Sequence, residues 1–163
     1  MKNAIFSFLF CTVFVCNSFA SQGLTYELYQ GTGYIYQGEH WQSAITFNYI
    51  SKPVWSDRKD RVYGKILFAR EIAKFYQTPV TVGAFVSQLR ETDNSDYINT
   101  TIGFPLGLRF PVQENVQLDV YINTINVVSQ KAYDSFTSAY YGDSESSGRS
   151  YLSSGFVNLS LFF

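Results

Sequence analysis

The chain carries one histidine, His40, within "GEHWQ". Acyl transfer or hydrolysis would need that imidazole within hydrogen-bond reach of a nucleophile, most simply a serine. Two residues on stands Gln42, and the serine-rich stretch of Ser135, Ser138, Ser144, Ser146 and Ser147 lies far along the chain. His40 is therefore a weak catalytic candidate, and next to Trp41 it reads as structural. A second set with chemical potential is Glu27, Lys65, Arg109 and Asp119, two acids and two bases that the strand pattern below puts on inward faces. Such a set makes either a cluster of ion pairs or a path for protons or ions, and ion pairing is the expected role. Asp93 with Asp96, or Asp143 with Glu145, could hold Ca²⁺ weakly from a loop, but loop polarity accounts for them. No metal site and no cofactor is expected.

The elements that must position these groups are strands. In "INTTIGFPLGLRFPV", 98 to 112, one parity carries Ile98, Ile102, Phe104, Leu106, Leu108, Phe110 and Val112, and the other carries Asn99, Gly103, Gly107 and Arg109. Alternation this long has period two. The apolar row from Ile102 to Val112 spans roughly 34 Å of strand, or about 26 Å of height at a tilt of about 40°, close to the apolar band of a transmembrane barrel. "VQLDVYINTINVV" follows after "QEN". A turn at 113 to 115 sets Val112 against Val116, Phe110 against Leu118, Leu108 against Val120 and Arg109 against Asp119, so that pattern and turn length agree.

Other segments alternate as well: "WQSAITFNY" (41 to 49) with Trp41, Ile45, Phe47 and Tyr49 on one face, "RVYGKILFA" (61 to 69), "YQTPVTVGAFV" (76 to 86) and "YLSSGFVNLSLFF" (151 to 163). "LTYELYQGTGYIYQ" (24 to 37) reads as two short strands joined at Gln30 to Gly33. The stretch "ILFAREIAKFYQ" (66 to 77) reads as a short connection near 70 to 75, with a helical turn as the alternative. The connections sort by length. Those at 37 to 40, 70 to 75 and 113 to 115 are short and fall on one side; those at 51 to 60, 89 to 96 and 129 to 150 are long and polar and fall on the other. The last of these holds Tyr133, Phe136, Tyr140 and Tyr141 among serines, a composition suited to surface recognition.

Composition fits this reading. Aromatics are 18% of the chain while mean hydropathy is only −0.06, as expected when each strand has one apolar and one polar face. The stretch "MKNAIFSFLFCTVFVCNSFA" has a basic Lys2, an apolar run and a small-residue site ending at Ala20, the layout of a cleaved signal peptide over 1–20. Both cysteines, Cys11 and Cys16, lie within it, leaving a cysteine-free domain over 21–163. Taking Lys2 from the 12 basic residues leaves 11 against 13 acidic ones, a balance that gives no electrostatic case for nucleic acid.

Leader, amphipathic strands, aromatic strand ends and the closing "FVNLSLFF" together resemble the bacterial outer-membrane β-barrel proteins, in particular the small eight-stranded class. The resemblance is one of pattern over nearly all of 21–163. It implies an all-β fold, an antiparallel transmembrane β-barrel of about eight strands, in the outer membrane of a Gram-negative cell. It implies contact with outer-membrane lipid and lipopolysaccharide, and delivery by the barrel assembly machinery through Val157, Leu159, Leu161 and Phe163. A soluble β-sandwich or lipocalin-like barrel also alternates, but would carry charges throughout its polar face; here that face is mostly Gly, Thr, Asn, Ser and Gln. The fold class does not fix activity. The expectation is a non-enzymatic barrel whose surface loops serve adhesion, recognition of a surface ligand or envelope integrity. The alternatives are a lipid A modifying enzyme (acyltransferase or deacylase), as some small outer-membrane barrels are, and a narrow pore.

Overall fold

The computed structural model describes residues 21–51, 60–92, 98–132 and 144–163. The leader expected over 1–20 lies outside them, as do Tyr133, Phe136, Tyr140, Tyr141, Asp93, Asp96 and Asp143. Eight strands follow one another: β1 (Ser21–Glu27), β2 (Gly31–Gln37), β3 (Trp41–Ile50), β4 (Arg61–Phe75), β5 (Thr78–Glu91), β6 (Ile98–Gln113), β7 (Val116–Ala132) and β8 (Ser144–Phe162). Each pairs antiparallel with the next, and β8 returns to β1 to close the barrel. Closure pairs Leu24 with Leu161 and Tyr26 with Leu159 on the outer surface, and Thr25 with Ser160 inside.

Period-two alternation decides which solvent each face meets. Along β6, Gly103, Pro105, Gly107 and Arg109 are buried, while Ile102, Phe104, Leu106, Leu108 and Phe110 are exposed. The same inversion runs through Val62, Ile66 and Phe68 of β4, Val82 and Val86 of β5, and Leu159 and Leu161 of β8, all exposed. Inside, the buried polar set includes Gln42, Thr46, Lys65, Gln117, Asn158 and Ser160. Exposed rings cluster at both ends: Phe75 and Tyr76 beside one tight turn, and Tyr29, Tyr49 and Tyr151 toward the other rim.

The β6–β7 register pairs Phe110 with Leu118, Leu108 with Val120 and Arg109 with Asp119, as the alternation predicts. It slips at two places, and both adjoin a proline, which has no N–H to give the ladder. At Pro111 the slip pairs Gln113 with Val116, so the expected Val112–Val116 pair does not form and the turn is two residues, Glu114 and Asn115. At Pro105 it adds Thr124 to β7, whose hydroxyl donates to the Phe104 carbonyl at 2.6 Å. Thr124 is thus a bulge residue, and beyond it Asn126 turns inward like Asn123 before it.

Other boundaries differ from expectation too, and β5 runs on to Glu91, past the start of the connection expected over 89 to 96. The first hairpin turns at 28–30, with Tyr29 at a φ of 64°, and not at Gln30 to Gly33. The helix-forming composition of "AREIAKF" yields to pairing: β4 continues to Phe75, with Ala73, Lys74 and Phe75 opposite Val80, Pro79 and Thr78 and a bulge between Glu71 and Ala73. Cross-strand hydrogen bonds here override helix propensity, which is a weak local preference. Finally, β7 and β8 extend to Ala132 and from Ser144, so the connection expected over 129 to 150 narrows to 133–143.

Candidate functional site

The barrel interior holds all four charged residues singled out by sequence. They form two pairs. Near the tight-turn side, Arg109 Nε donates to Asp119 Oδ1 at 3.3 Å, and Arg109 Nη2 donates to Gln42 Oε1 at 2.6 Å. Gln117 Nε2 donates to Asp119 Oδ2 at 2.8 Å and to Gln42 Oε1 at 3.3 Å; Gln42 Nε2 in turn donates to the Tyr121 hydroxyl and, at 3.3 Å, to Asp119 Oδ2. Both oxygens of Asp119 therefore accept, and the guanidinium spans two acceptors as its planar fork permits. The second pair lies between strands that are not neighbours: Lys65 Nζ on β4 donates to Glu27 Oε1 on β1 at 2.8 Å, with side chains only 2% and 1% exposed.

Aromatic rings join the two. The Lys65 ammonium lies 3.1 Å from the centroid of the Phe156 ring and 4.6 Å from that of Phe85. Phe156 stacks on Tyr121 at 4.6 Å and meets Phe85 edge-on at 5.8 Å. Cross-strand glycines make room for two of these rings: Gly107 pairs with Tyr121 and Gly103 with Phe85. A Cβ on Gly103 would stand 2.2 Å from Phe85 Cε1, and one on Gly107 2.5 Å from the Tyr121 ring. Asn158, buried, is the ladder partner of Asp119 on one side and Glu27 on the other, and so separates two carboxylates that would repel if directly opposed.

Gln42, Gln117, Tyr121, Phe85 and Phe156 are thus site residues that charge-based reading missed. The signal was present: Phe156 and Tyr121 break the polar parity of their strands, and each pairs with the other. Phe162, on the same inward parity of β8 as Phe156, is partly buried and packs against the same core, which also includes Ile35, Ala44, Leu67 and Ala69.

His40 stands apart, largely exposed, in the turn before β3. Its Nε2 lies 3.5 Å from Glu39 Oε1 and its Nδ1 4.0 Å from Glu71 Oε2. Its ion-pair neighbours among the described residues are these two carboxylates, which can orient an imidazole but are not the serine that acyl transfer would most simply use. Val157, Leu159 and Leu161 share the outward parity of β8, and Phe163 follows immediately after its end. Among the described residues no group of three or more His, Cys, Asp or Glu side chains is arranged to hold a metal ion.

Above the Lys65 layer, toward the long connections, the interior opens into a cavity of about 250 Å³. Phe85, Phe156 and Lys65 line it from below, and Ser87, Thr101, Asn123, Asn126 and Ser154 from the sides. Asn123 Nδ2 and Asn126 Nδ2 both donate to Ser154 Oγ, at 2.9 and 3.0 Å.

Compared with protein-family models, with curated proteins and with solved structures, the chain finds no match. Its fold is a closed eight-stranded antiparallel barrel with apolar rows facing outward and the paired charges inside.

Proposed function

We propose that the protein is a transmembrane barrel of the bacterial outer membrane, with a plugged lumen, that acts without catalysis by presenting its long connections at the cell surface. One observation carries the reading: buried Glu27, Lys65, Arg109 and Asp119 inside, against exposed Leu24, Phe68, Val86, Leu106, Phe110 and Leu161 outside. In water this distribution would be inverted, because exposed apolar rows cost free energy and buried charges cost more. In a bilayer it is the favourable arrangement, and closure leaves no unpaired edge along the shared height of the wall. Lipid and lipopolysaccharide would surround the outer rows, and Val157, Leu159, Leu161 and Phe163 would be what the barrel assembly machinery reads. The paired charges and packed rings favour a scaffold over a narrow pore. The partners of His40 are the carboxylates of Glu39 and Glu71 and not a serine, which argues against its serving a lipid A acyltransferase or deacylase. The role of the surface connections would be adhesion, recognition or envelope integrity.

Fractionation tests the location: the protein should enter the outer-membrane fraction and migrate differently on a gel when unheated. Recovery in the soluble fraction with no heat-dependent shift would remove the whole reading. Mass spectrometry of lipid A from cells with and without the gene tests the enzymatic alternative, and a His40-dependent change in acyl number would establish it. Discrete conductance steps in a planar bilayer would establish a pore.

A further inference from the structure

The cavity above Lys65 has features that plugging the barrel does not require. Its polar side wall is produced by the backbone irregularity at Pro105. The bulge at Thr124 turns both Asn123 and Asn126 inward, and on the opposite flank β8 slips against β7 between Tyr151 and Ser154. Leu152, within that slip, adopts a φ of 48°, a left-handed conformation that a branched apolar residue rarely takes. Strain of this kind persists where the surroundings enforce it, and it is found disproportionately at binding sites. Here the slip brings Ser154 opposite the two asparagines.

The hydrogen bonding is asymmetric. Ser154 Oγ accepts from two amide nitrogens, which uses its lone pairs and leaves the hydroxyl proton to donate elsewhere. Asn123 is 5% exposed, and its Oδ1 has no donor among the described residues. Lys65 Nζ carries three protons, one of them committed to Glu27. The cavity thus offers donors from Ser154 and Lys65 and an acceptor from Asn123, above a floor containing Phe85 and Phe156.

We propose that this cavity binds a neutral, hydroxylated molecule of monosaccharide size. Its volume would hold roughly eight waters at about 30 Å³ each, and is a little below the range for drug-sized ligands, which matches one sugar ring. Hydroxyl groups both donate and accept, as the wall requires. An anion fits poorly, because Glu27 already neutralises Lys65 at 2.8 Å and an added negative charge would be buried without a partner. The same chemistry is presented by a free sugar and by the terminal residue of a surface glycan. The site needs only the closed barrel, whatever membrane holds it, so its failure would leave the fractionation result untouched.

The test uses residues 21–163 folded in phosphatidylcholine nanodiscs, because sugar-headed detergents would compete. Glucose, galactose and N-acetylglucosamine are titrated, each free and as the end of a linear oligosaccharide, with inorganic phosphate as the charged probe. The readout is the backbone amide resonances of Asn123, Asn126 and Ser154 and the side-chain amide resonances of the two asparagines. At least one sugar should give saturable shifts with Kd on the order of 1 mM, weak enough for a handful of hydrogen bonds. Ser154→Ala should weaken binding about tenfold, the equivalent of one good hydrogen bond, and Asn123→Leu should abolish it. Ser160→Ala, whose hydroxyl contacts Thr25 instead, should leave it unchanged. Should Asn123→Leu fail to fold, Ser154→Ala carries the test. Binding of free sugar alone identifies a soluble ligand, and binding of both forms identifies a glycan end; either supports the site. The proposal is overturned if no sugar saturates, if phosphate binds more tightly than every sugar, or if Ser154→Ala binds like the parent.

Discussion

Lys65 and Phe156 meet inside the barrel with the ammonium 3.1 Å from the ring centroid, a contact made while Lys65 also donates to Glu27. Face and carboxylate share one cation, so neither contact stands alone. Phe156→Leu should destabilise the barrel by about 2 kcal/mol or more through loss of the desolvated cation–π contact, with further loss from the Tyr121 stack. Urea unfolding of the protein refolded into lipid vesicles would measure this; an unchanged midpoint would mean that the ring only fills space.

Removing one partner of that ion pair should cost more than removing both. Glu27→Ala strands a buried ammonium and should destabilise by about 3–5 kcal/mol. Glu27→Leu combined with Lys65→Met replaces the charges with apolar groups of similar reach and should recover most of the loss. With Glu27→Leu and Lys65→Met each measured alone, the double-mutant cycle gives the coupling.

Arg109→Ala should likewise cost about 3–5 kcal/mol, because Asp119 remains buried with only Gln117 and Gln42 to donate to it. Arg109→Lys should fall between parent and Ala. A lysine keeps the charge but lacks the fork that reaches Asp119 and Gln42 together. Equal midpoints for Lys and Ala would mean that the charge contributes nothing.

Gly103→Ala should cost about 1–3 kcal/mol by overpacking, since its new methyl would meet Phe85. Phe85→Leu in the same chain should relieve much of that. If the double variant is no more stable than Gly103→Ala alone, the ring is not what holds Gly103 in place.

On the outer surface, Leu106→Arg should cost about 2–4 kcal/mol in vesicle refolding, as for a charge near the bilayer midplane, and Val112→Arg, close to the turn, about 0–1 kcal/mol. Equal costs would place the membrane elsewhere on the wall.

Long alternation made β6 and the Arg109–Asp119 pairing legible in sequence, because a one-residue slip would have sent Phe110 inward and Arg109 outward. Lys65–Glu27 was legible only as two inward charges: the residues lie on strands separated by β2 and β3, and no hairpin register relates them. Gln42 and Gln117 carry no charge to draw attention, though they connect Arg109, Asp119 and Tyr121. The bulge at Thr124 had a trace in the adjoining polar residues Asn123 and Thr124, where strict alternation fails. Its origin is the missing N–H of Pro105 on the neighbouring strand, which only the paired register reveals. The length of β4 was hidden because "AREIAKF" favours helix locally and is held extended by Thr78 to Gly83.

Closure of β8 on β1 has a kinetic consequence. Seven of the eight strand pairs join consecutive strands, but the hydrogen bond from Ser160 Oγ to Thr25 Oγ1 spans 135 positions. Bringing ends that far apart together costs about 4 kcal/mol of chain entropy, against about 2 for a contact as local as Arg109–Asp119. The hairpins are cheap to form and the ring is not. Contact order is thereby concentrated at one seam, held by five ladder pairs from Gly23 to Glu27. The β1–β8 seam is therefore the contact of this barrel whose formation from the unfolded chain restricts it most.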